Sequence, residues 1–395
     1  MDPVIWLFDI DGVLVQPGGY RAAVRETVNH FTRQMGLGDF APPDEVYAIF
    51  ESQGITCEWD MVPITLALIL EAASAQMGRG FDSFESALGV LRQHDLSTLA
   101  VDFAPILRAL GSIVQPGVAP ADSLLALVEE GQGLAFFPRL AGQGVLRDLL
   151  AHSRRPVQSR TTHVFENFVL GHERYYQALG LPVEVQSESL LETLDRPLLL
   201  SETRELVRAW IAQGRLRASA YTARPSSAVE VLTEPLAVCL PEAEAALRLV
   251  GFEDLPLIGS GQTGELSVRL GEPEDRLTKP APYHALAAAA SAWTGGDRGA
   301  ALAWVAKVFR AFERGEAMPA ESPLPGRLHL HVFEDSPTGM RGGKAAAELL
   351  AAMGIHARVH LWGITTHPEK ARALENQGAT VFPDINTAVQ HAASA

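Results

Sequence analysis

The sequence predicts an α/β protein: a Rossmann-like parallel sheet core with a large, mainly α-helical domain inserted after its first strand. Three observations predict it. An apolar run, Val4 to Phe8, ends in Asp9, Ile10, Asp11 and Gly12, placing two carboxylates two residues apart. From about residue 201, short apolar runs alternate with amphipathic segments, the pattern of a parallel sheet covered on both faces. Between these, residues 16–200 carry helical periodicity and little period-2 alternation. The core is therefore assigned to residues 1–15 plus 201–395, and the helical domain to 16–200.

The first run reads as a buried strand. Such a strand has no structural use for two carboxylates at its end. In open α/β sheets the ligand crevice lies outside the carboxyl ends of the strands, so Asp9 and Asp11 are read as a metal-binding acidic pair. After Gly12 the period changes: Val24, Val28, Phe31 and Met35 mark one helix face. Further helices are expected over 63–76, 124–130, 145–152 and 164–179, with a Pro/Gly-rich break at 114–120. In the core a helix over 203–213 stops at Gly214, a strand follows over 216–221, and another helix begins near Ser226. Strands are expected at 255–258, 328–333, 357–362 and 379–382. Helices such as 341–353 and 368–377 separate them and end at Gly354 and Gly378. A further helix over 299–315 lengthens the connection before the strand over 328–333, with packing on the core or on a partner subunit as its expected use.

Composition narrows the function. The chain has 395 residues, with 32 Lys and Arg against 47 Asp and Glu, for a formal net charge of −15. That balance disfavours nucleic acid and anionic membranes as partners, since both call for concentrated positive charge. Cys57 and Cys239 are too few and too far apart for a disulfide framework or a metal knuckle, and are read as reduced thiols of a cytoplasmic protein. The N-terminus lacks the basic and apolar regions of a signal peptide. No apolar run approaches the ~18 residues of a membrane span, so no transmembrane helix is expected.

Three later segments complete the acidic pair. Thr222 follows the strand over 216–221. Lys279 precedes Pro280 and Pro282 at the entry to a helix. Glu334 and Asp335 end the strand over 328–333, ahead of Ser336 and Pro337. Asp-x-Asp, a hydroxyl, a lysine and a terminal acidic pair, in this order, resemble the four motifs of the haloacid dehalogenase-like (HAD) superfamily of phosphohydrolases. The resemblance covers residues 4–15 and about 201–395, and makes residues 16–200 a cap longer than the usual small one. It implies Asp9 as nucleophile forming an aspartyl phosphate and Asp11 as general acid and base. It implies Mg²⁺ held by Asp9, Asp335 and the Asp11 carbonyl, with Glu334 as a further ligand or neighbour. Thr222 and Lys279 would bind the transferring phosphoryl group, and Arg224 an anionic part of the substrate. Members that cleave carbon–halogen bonds or phosphonates lack an acid at the Asp11 position, so its presence favours phosphomonoesters. The expected activity is a Mg²⁺-dependent phosphatase acting on a small phosphorylated metabolite. A phosphotransferase or phosphomutase of the same family, and a cap-based binding or scaffold protein, are the alternatives.

Other segments have plainer readings. Gly259 to Gly264 match G-x-G-x-x-G, but the following Glu265 to Leu270 alternate like a strand, so a hairpin-like turn is expected in place of a nucleotide-binding helix entry. His329 and His331 share a strand face before Glu334 and are read as packed histidines. In the cap, Glu58, Trp59, Asp60 and the stretch from His163 to Tyr176 are either pocket-lining or ordinary helix chemistry.

Overall fold

A computed structural model describes residues 2–53, 55, 57–110, 113, 118–228, 239–319 and 321–393. The described residues of 2–17, 194–228 and 239–393 form one compact unit, and those of 18–193 another. The first unit carries eight strands: β1 (Val4–Phe8), β2 (Val15–Gln16), β3 (Arg196–Pro197), β4 (Arg217–Tyr221), β5 (Leu257–Ile258), β6 (Arg327–Glu334), β7 (His356–Ile364) and β8 (Thr380–Phe382). Six form one sheet in the order β5-β4-β1-β6-β7-β8, with every pair parallel. β2 and β3 form a separate antiparallel pair, with Val15 opposite Pro197 and Gln16 opposite Arg196.

The burial pattern explains the sheet. Ile5, Trp6, Leu7 and Phe8 are all essentially inaccessible, as required of a central parallel strand covered on both faces. Ile5 and Leu7 join Tyr221, Leu330 and Val332 beneath helices Pro282–Trp293 and Pro337–Ala352. Trp6 and Phe8 join Phe333, Trp362 and Trp210 on the opposite face, which helices Ser201–Ala212 and Ile385–Ala392 cover. The chain builds outward from β1 through β4 to β5, then crosses back to β6 and continues outward. The strand order therefore reverses between β1 and β6, where open α/β sheets place their ligands. The extra helix is Arg298–Arg314; it buries Leu302, Trp304, Val305, Val308 and Phe309 in the first of these layers, so it is a core helix.

Several expectations are corrected. Glu265 to Leu270 form no strand; they belong to helix Ser260–Leu270, closed by Gly271 in the left-handed conformation. Leu266 and Leu270 are buried and Val268 is exposed, so the apparent alternation is an i, i+4 face with one outward residue. The G-x-G-x-x-G segment thus does open a helix after a strand. Its glycines nevertheless serve packing: a Cβ on Gly261 would lie 1.7 Å from the Ser226 carbonyl. The first amides are also taken, Gly259 by Gln262 Oε1 (2.7 Å), Ser260 by the Arg224 carbonyl (3.0 Å) and Gly261 by Ser226 Oγ (3.1 Å). They are not free to cradle a phosphate. Ser226 to Ala228 are not helical, and the rest of the helix expected there lies outside the described residues. So does most of the Pro/Gly-rich break at 114–120.

The other unit is helical, with Gly19–Gln34, Glu58–Met77 and Arg160–Leu170 among its longer helices. The single helix expected over 164–179 is broken at Gly171, whose positive φ and close approach to the Ser189 amide (2.6 Å from a built Cβ) exclude a side chain. Among the described residues, Glu58–Met77 alone is long and apolar enough to cross a membrane by length and composition; 78% of its most apolar window is buried within the fold, as in a core helix. Several polar residues singled out here are held by internal hydrogen bonds and an ion pair. Trp59 Nε1 donates to Glu166 (2.5 Å), the Tyr175 hydroxyl contacts His163 (2.5 Å), and inaccessible Asp60 accepts from Ser153 (3.0 Å) and pairs with Arg154 (3.0 Å).

His284 yields a pH prediction. Its Nε2 lies 3.0 Å from the Ile258 carbonyl, and burial, aided by the Lys279 charge, holds its pKa down at about 3, against 6.5 ordinarily. Between those values the unfolded chain binds a proton that the native one refuses, so acidification costs native stability. The stability difference between the parent and His284→Gln should therefore shift in favour of the variant as pH falls from 7.5 to 4.5, measured by urea unfolding. A pH-independent difference would show that His284 is not kept neutral.

Candidate active site

The carboxyl ends of β1 and β6 set the site. Asp9 follows β1, and its amide donates to the Phe333 carbonyl (3.0 Å), continuing the ladder one residue past the strand. Glu334 closes β6 and Asp335 follows it. Ser336 then caps helix Pro337–Ala352: its Oγ accepts from the Gly339 amide (3.1 Å) and donates to Glu334 Oε2 (3.0 Å). Glu334 is thereby fixed against a helix N-terminus, where negative charge is favoured. Two glycines make room. A Cβ on Gly339 would fall 1.8 Å from Glu334 Oε1, and one on Gly12, which has φ of +73°, would fall 2.2 Å from Asp335 Oδ2.

Lys279 enters from the loop before helix Pro282–Trp293. Its Nζ lies 2.9 Å from Asp9 Oδ1 and 2.6 Å from Glu334 Oε1, and 3.9 Å above the Tyr221 ring. Lys370, from the segment after β7, pairs with Asp335. Asp9, Glu334 and Asp335 each present an oxygen within 4.8 Å of the others. Burial and the neighbouring Glu334 push the Asp9 carboxyl up to about 7, against the opposing pull of Lys279. Burial, then Asp9, raises Asp335 as well. Burial works against the Lys279 charge, but Asp9 and Glu334 outweigh it and lift the ammonium above its ordinary value. The cluster carries more negative than positive charge in a desolvated place, and its donors are all oxygens. Such a set fits a hard divalent cation such as Mg²⁺.

Asp11 stands apart from this cluster. Arg224 grips it with two bonds, Nε to Oδ2 (2.8 Å) and Nη2 to Oδ1 (2.5 Å), and Nη2 also reaches Asp195 Oδ2 (2.8 Å). The Arg224 side chain is 1% exposed and that of Asp11 35%. Arg224, expected to meet an anionic substrate group, is thus occupied by two carboxylates, and its buried position is that of an internal clamp. Thr222 lies just past β4 and is buried; its amide donates to the Ile258 carbonyl (3.1 Å) and its Oγ1 accepts from the Arg224 amide (3.2 Å), which leaves its own proton to be donated elsewhere. The structure therefore gathers Asp9, Lys279, Glu334 and Asp335 into one cluster and ties Asp11 and Thr222 together through Arg224.

Sequence reasoning missed Asp195, Tyr221 and Lys370. Tyr221 is the last residue of β4 and was legible as buried, not as the ring beneath a lysine. Lys370 belongs to a helix that follows a strand of the same sheet edge, a placement that marks it once the strand order is known. Asp195 carries no local signal.

No family model matches the chain, and no curated protein does. Among solved structures, the chain is similar to an X-ray structure determined as a target of the Northeast Structural Genomics Consortium, with 13% identity, a TM-score of 0.66, and coverage of 100% of this chain and 98% of that one. This is a likeness of fold. Two others align with TM-scores of 0.40: a protein from Thermotoga maritima inferred to be a beta-phosphoglucomutase (13% identity, 99% of each chain) and a phosphatase from Thermococcus thioreducens (15% identity, 94% of this chain and 99% of that one).

The charge balance gives two predictions. Lys279→Met leaves buried carboxylates without their cation and should lower stability by about 3–5 kcal/mol. The loss should be smaller at pH 5 than at pH 8, because protonating Asp9 relieves the same repulsion; an equal loss at both would locate the effect in packing. Gly339→Ala should displace the Glu334 carboxylate and cost about 1–3 kcal/mol by crowding, read as a fall in the urea midpoint. An unchanged midpoint would mean that Glu334 moves aside freely.

Proposed function

We propose that this chain is a HAD-like phosphohydrolase that cleaves a phosphomonoester through an aspartyl phosphate on Asp9. The observation that carries the reading is the cluster of Asp9, Glu334 and Asp335 around Lys279 at the reversal of strand order between β1 and β6. The motif resemblance supplies the chemistry; the cluster supports it.

Asp9, Asp335 and the Asp11 carbonyl would hold Mg²⁺, with Glu334 beside them. When bound, the ion supplies positive charge that offsets the repulsion between a carboxylate nucleophile and an anionic phosphate. In the first step Asp9 attacks phosphorus and the bond to the ester oxygen breaks, with Asp11 giving its proton to that leaving oxygen. In the second, Asp11 takes a proton from water as the water oxygen attacks phosphorus, and the bond to Asp9 breaks to release phosphate. Lys279, already drawn toward Asp9, would neutralise a phosphoryl oxygen, and the Thr222 hydroxyl would donate to another. Asp11 accepts two bonds from Arg224 in the structure and would have to release them to reach the leaving oxygen.

The test is phosphate release from a panel of sugar phosphates, nucleotides, phosphorylated acids and p-nitrophenyl phosphate, with Mg²⁺ and with EDTA. Asp9→Asn should abolish release. Asp11→Asn should slow alkyl phosphates by about 10²–10⁴-fold, the usual range for a general acid. It should slow p-nitrophenyl phosphate less, because that leaving group needs no proton. Metal-independent release, or turnover retained in Asp9→Asn, would overturn the reading.

A further inference from the structure

The middle of β6 carries a second cluster, on the face that bears Trp6 and Phe8. His329 and His331 are two residues apart on β6, and His360 stands directly opposite His331 on β7. A strand sends residues i and i+2 to the same face, and the neighbouring strand adds a third side chain at about 5 Å. Two histidines on one strand and one across from them are therefore the arrangement through which a sheet can point three imidazoles at one ion. Their candidate ligand nitrogens all lie within 4.8 Å of one another. His329 Nδ1 and His360 Nε2 are already 3.1 Å apart, close to the ~3.3 Å between nitrogens that share a tetrahedral zinc at ~2.0 Å. His329 and His360 are partly exposed, so the pair is open to ions from solvent, while His331 is buried behind them.

We propose that His329, His331 and His360 bind a borderline divalent transition-metal ion, with Zn²⁺ as its representative. Three imidazoles form a site distinct in donor chemistry from the all-oxygen cluster at Asp9: imidazole suits zinc and its neighbours, carboxylate suits magnesium. Burial and then the neighbouring rings lower the His331 pKa, and burial, His329 and Arg358 lower that of His360, but the site stands on the geometry of the three rings. The net charge of −15 favours a cation, although Arg358, in register with His329, opposes it locally.

Binding moves one proton and one ring. The proton shared by His329 and His360 moves to the far nitrogen of whichever ring carries it, leaving both facing nitrogens free as ligands. Trp362 Nε1 donates to His331 Nδ1 (3.1 Å), so that ring carries its own proton on Nε2. Coordination by His331 through Nδ1 breaks this bond and turns the ring out of its stack on His360, where the centroids are 4.4 Å apart. The Trp362 indole loses its partner, which gives the event an optical signal separate from any enzymatic activity. Three protein ligands leave a fourth position for water. The ion would also clip β6 to β7 away from the carboxylate end of the sheet.

The test uses the full chain, stripped with EDTA, titrated with Co²⁺ and followed by visible absorption, with Zn²⁺ as competitor and tryptophan fluorescence as the second readout. The intense bands of a four-coordinate nitrogen site are expected to saturate at one Co²⁺ per chain and to be displaced by Zn²⁺, any Co²⁺ on the carboxylate cluster adding only weak six-coordinate absorption. His329→Ala and His360→Ala should each weaken binding by more than the about 10–100-fold that even an outer partner is worth. Asp9→Asn should leave the spectrum intact. His360→Gln is the conservative control for misfolding: an unchanged circular dichroism spectrum with lost Co²⁺ bands supports the site. A weak six-coordinate spectrum, no binding, or binding that persists in both His360 variants would overturn it.

Discussion

The crowding of Asp9, Glu334 and Asp335 is the constraint on which the core unit turns. Three carboxylates brought together out of water repel one another and lose hydration, and the structure answers this in several ways. Lys279 bridges two of them, Lys370 pairs with the third, and Ser336 at a helix N-terminus holds Glu334. Gly12 and Gly339 are there because nothing larger fits beside the acids. Even so, Asp9 is held near neutrality in its affinity for a proton. A site that binds a proton this readily without a metal is one whose charge is still unbalanced, which is a reason for it to bind a cation.

The two acidic groups that the sequence presents as one motif are put to different uses by their surroundings. Asp9 is buried among like charges. Asp11, two residues on, is half-buried and gripped by a guanidinium that also binds Asp195. The surroundings thus separate a carboxylate that shares one lysine with Glu334 from one held by two bonds to its own arginine. Perturbed carboxylates in such pairs are a mark of functional sites, and the contrast here arises from geometry that a spacing of two residues cannot express.

Much of the core was legible. Continuous apolar runs gave the strands, glycines gave the helix ends, and the acidic, hydroxyl and lysine residues at strand and helix ends gave the candidate site. What could not be read were relations between distant segments. The alternation in Glu265 to Leu270 looked like a strand because three apolar residues two apart satisfy both periods, and burial of Leu266 and Leu270 on one helix face decided the matter. Arg224 looked available to a ligand because its partner Asp195 lies 29 residues upstream without a motif around it. Lys370 and Tyr221 became site residues only through the strand order, which places the ends of β4 and β7 beside those of β1 and β6.

The small pair β2 and β3 has a further consequence. Gln16, where the chain leaves the sheet-bearing unit, lies opposite Arg196, where it has just returned. This antiparallel pairing brings the two ends of the intervening segment side by side. The segment between is therefore attached like a cassette, through neighbouring points that impose no register on the sheet. Its length and sequence are free to drift, or to be exchanged whole, while the strands that carry the acids stay where they are.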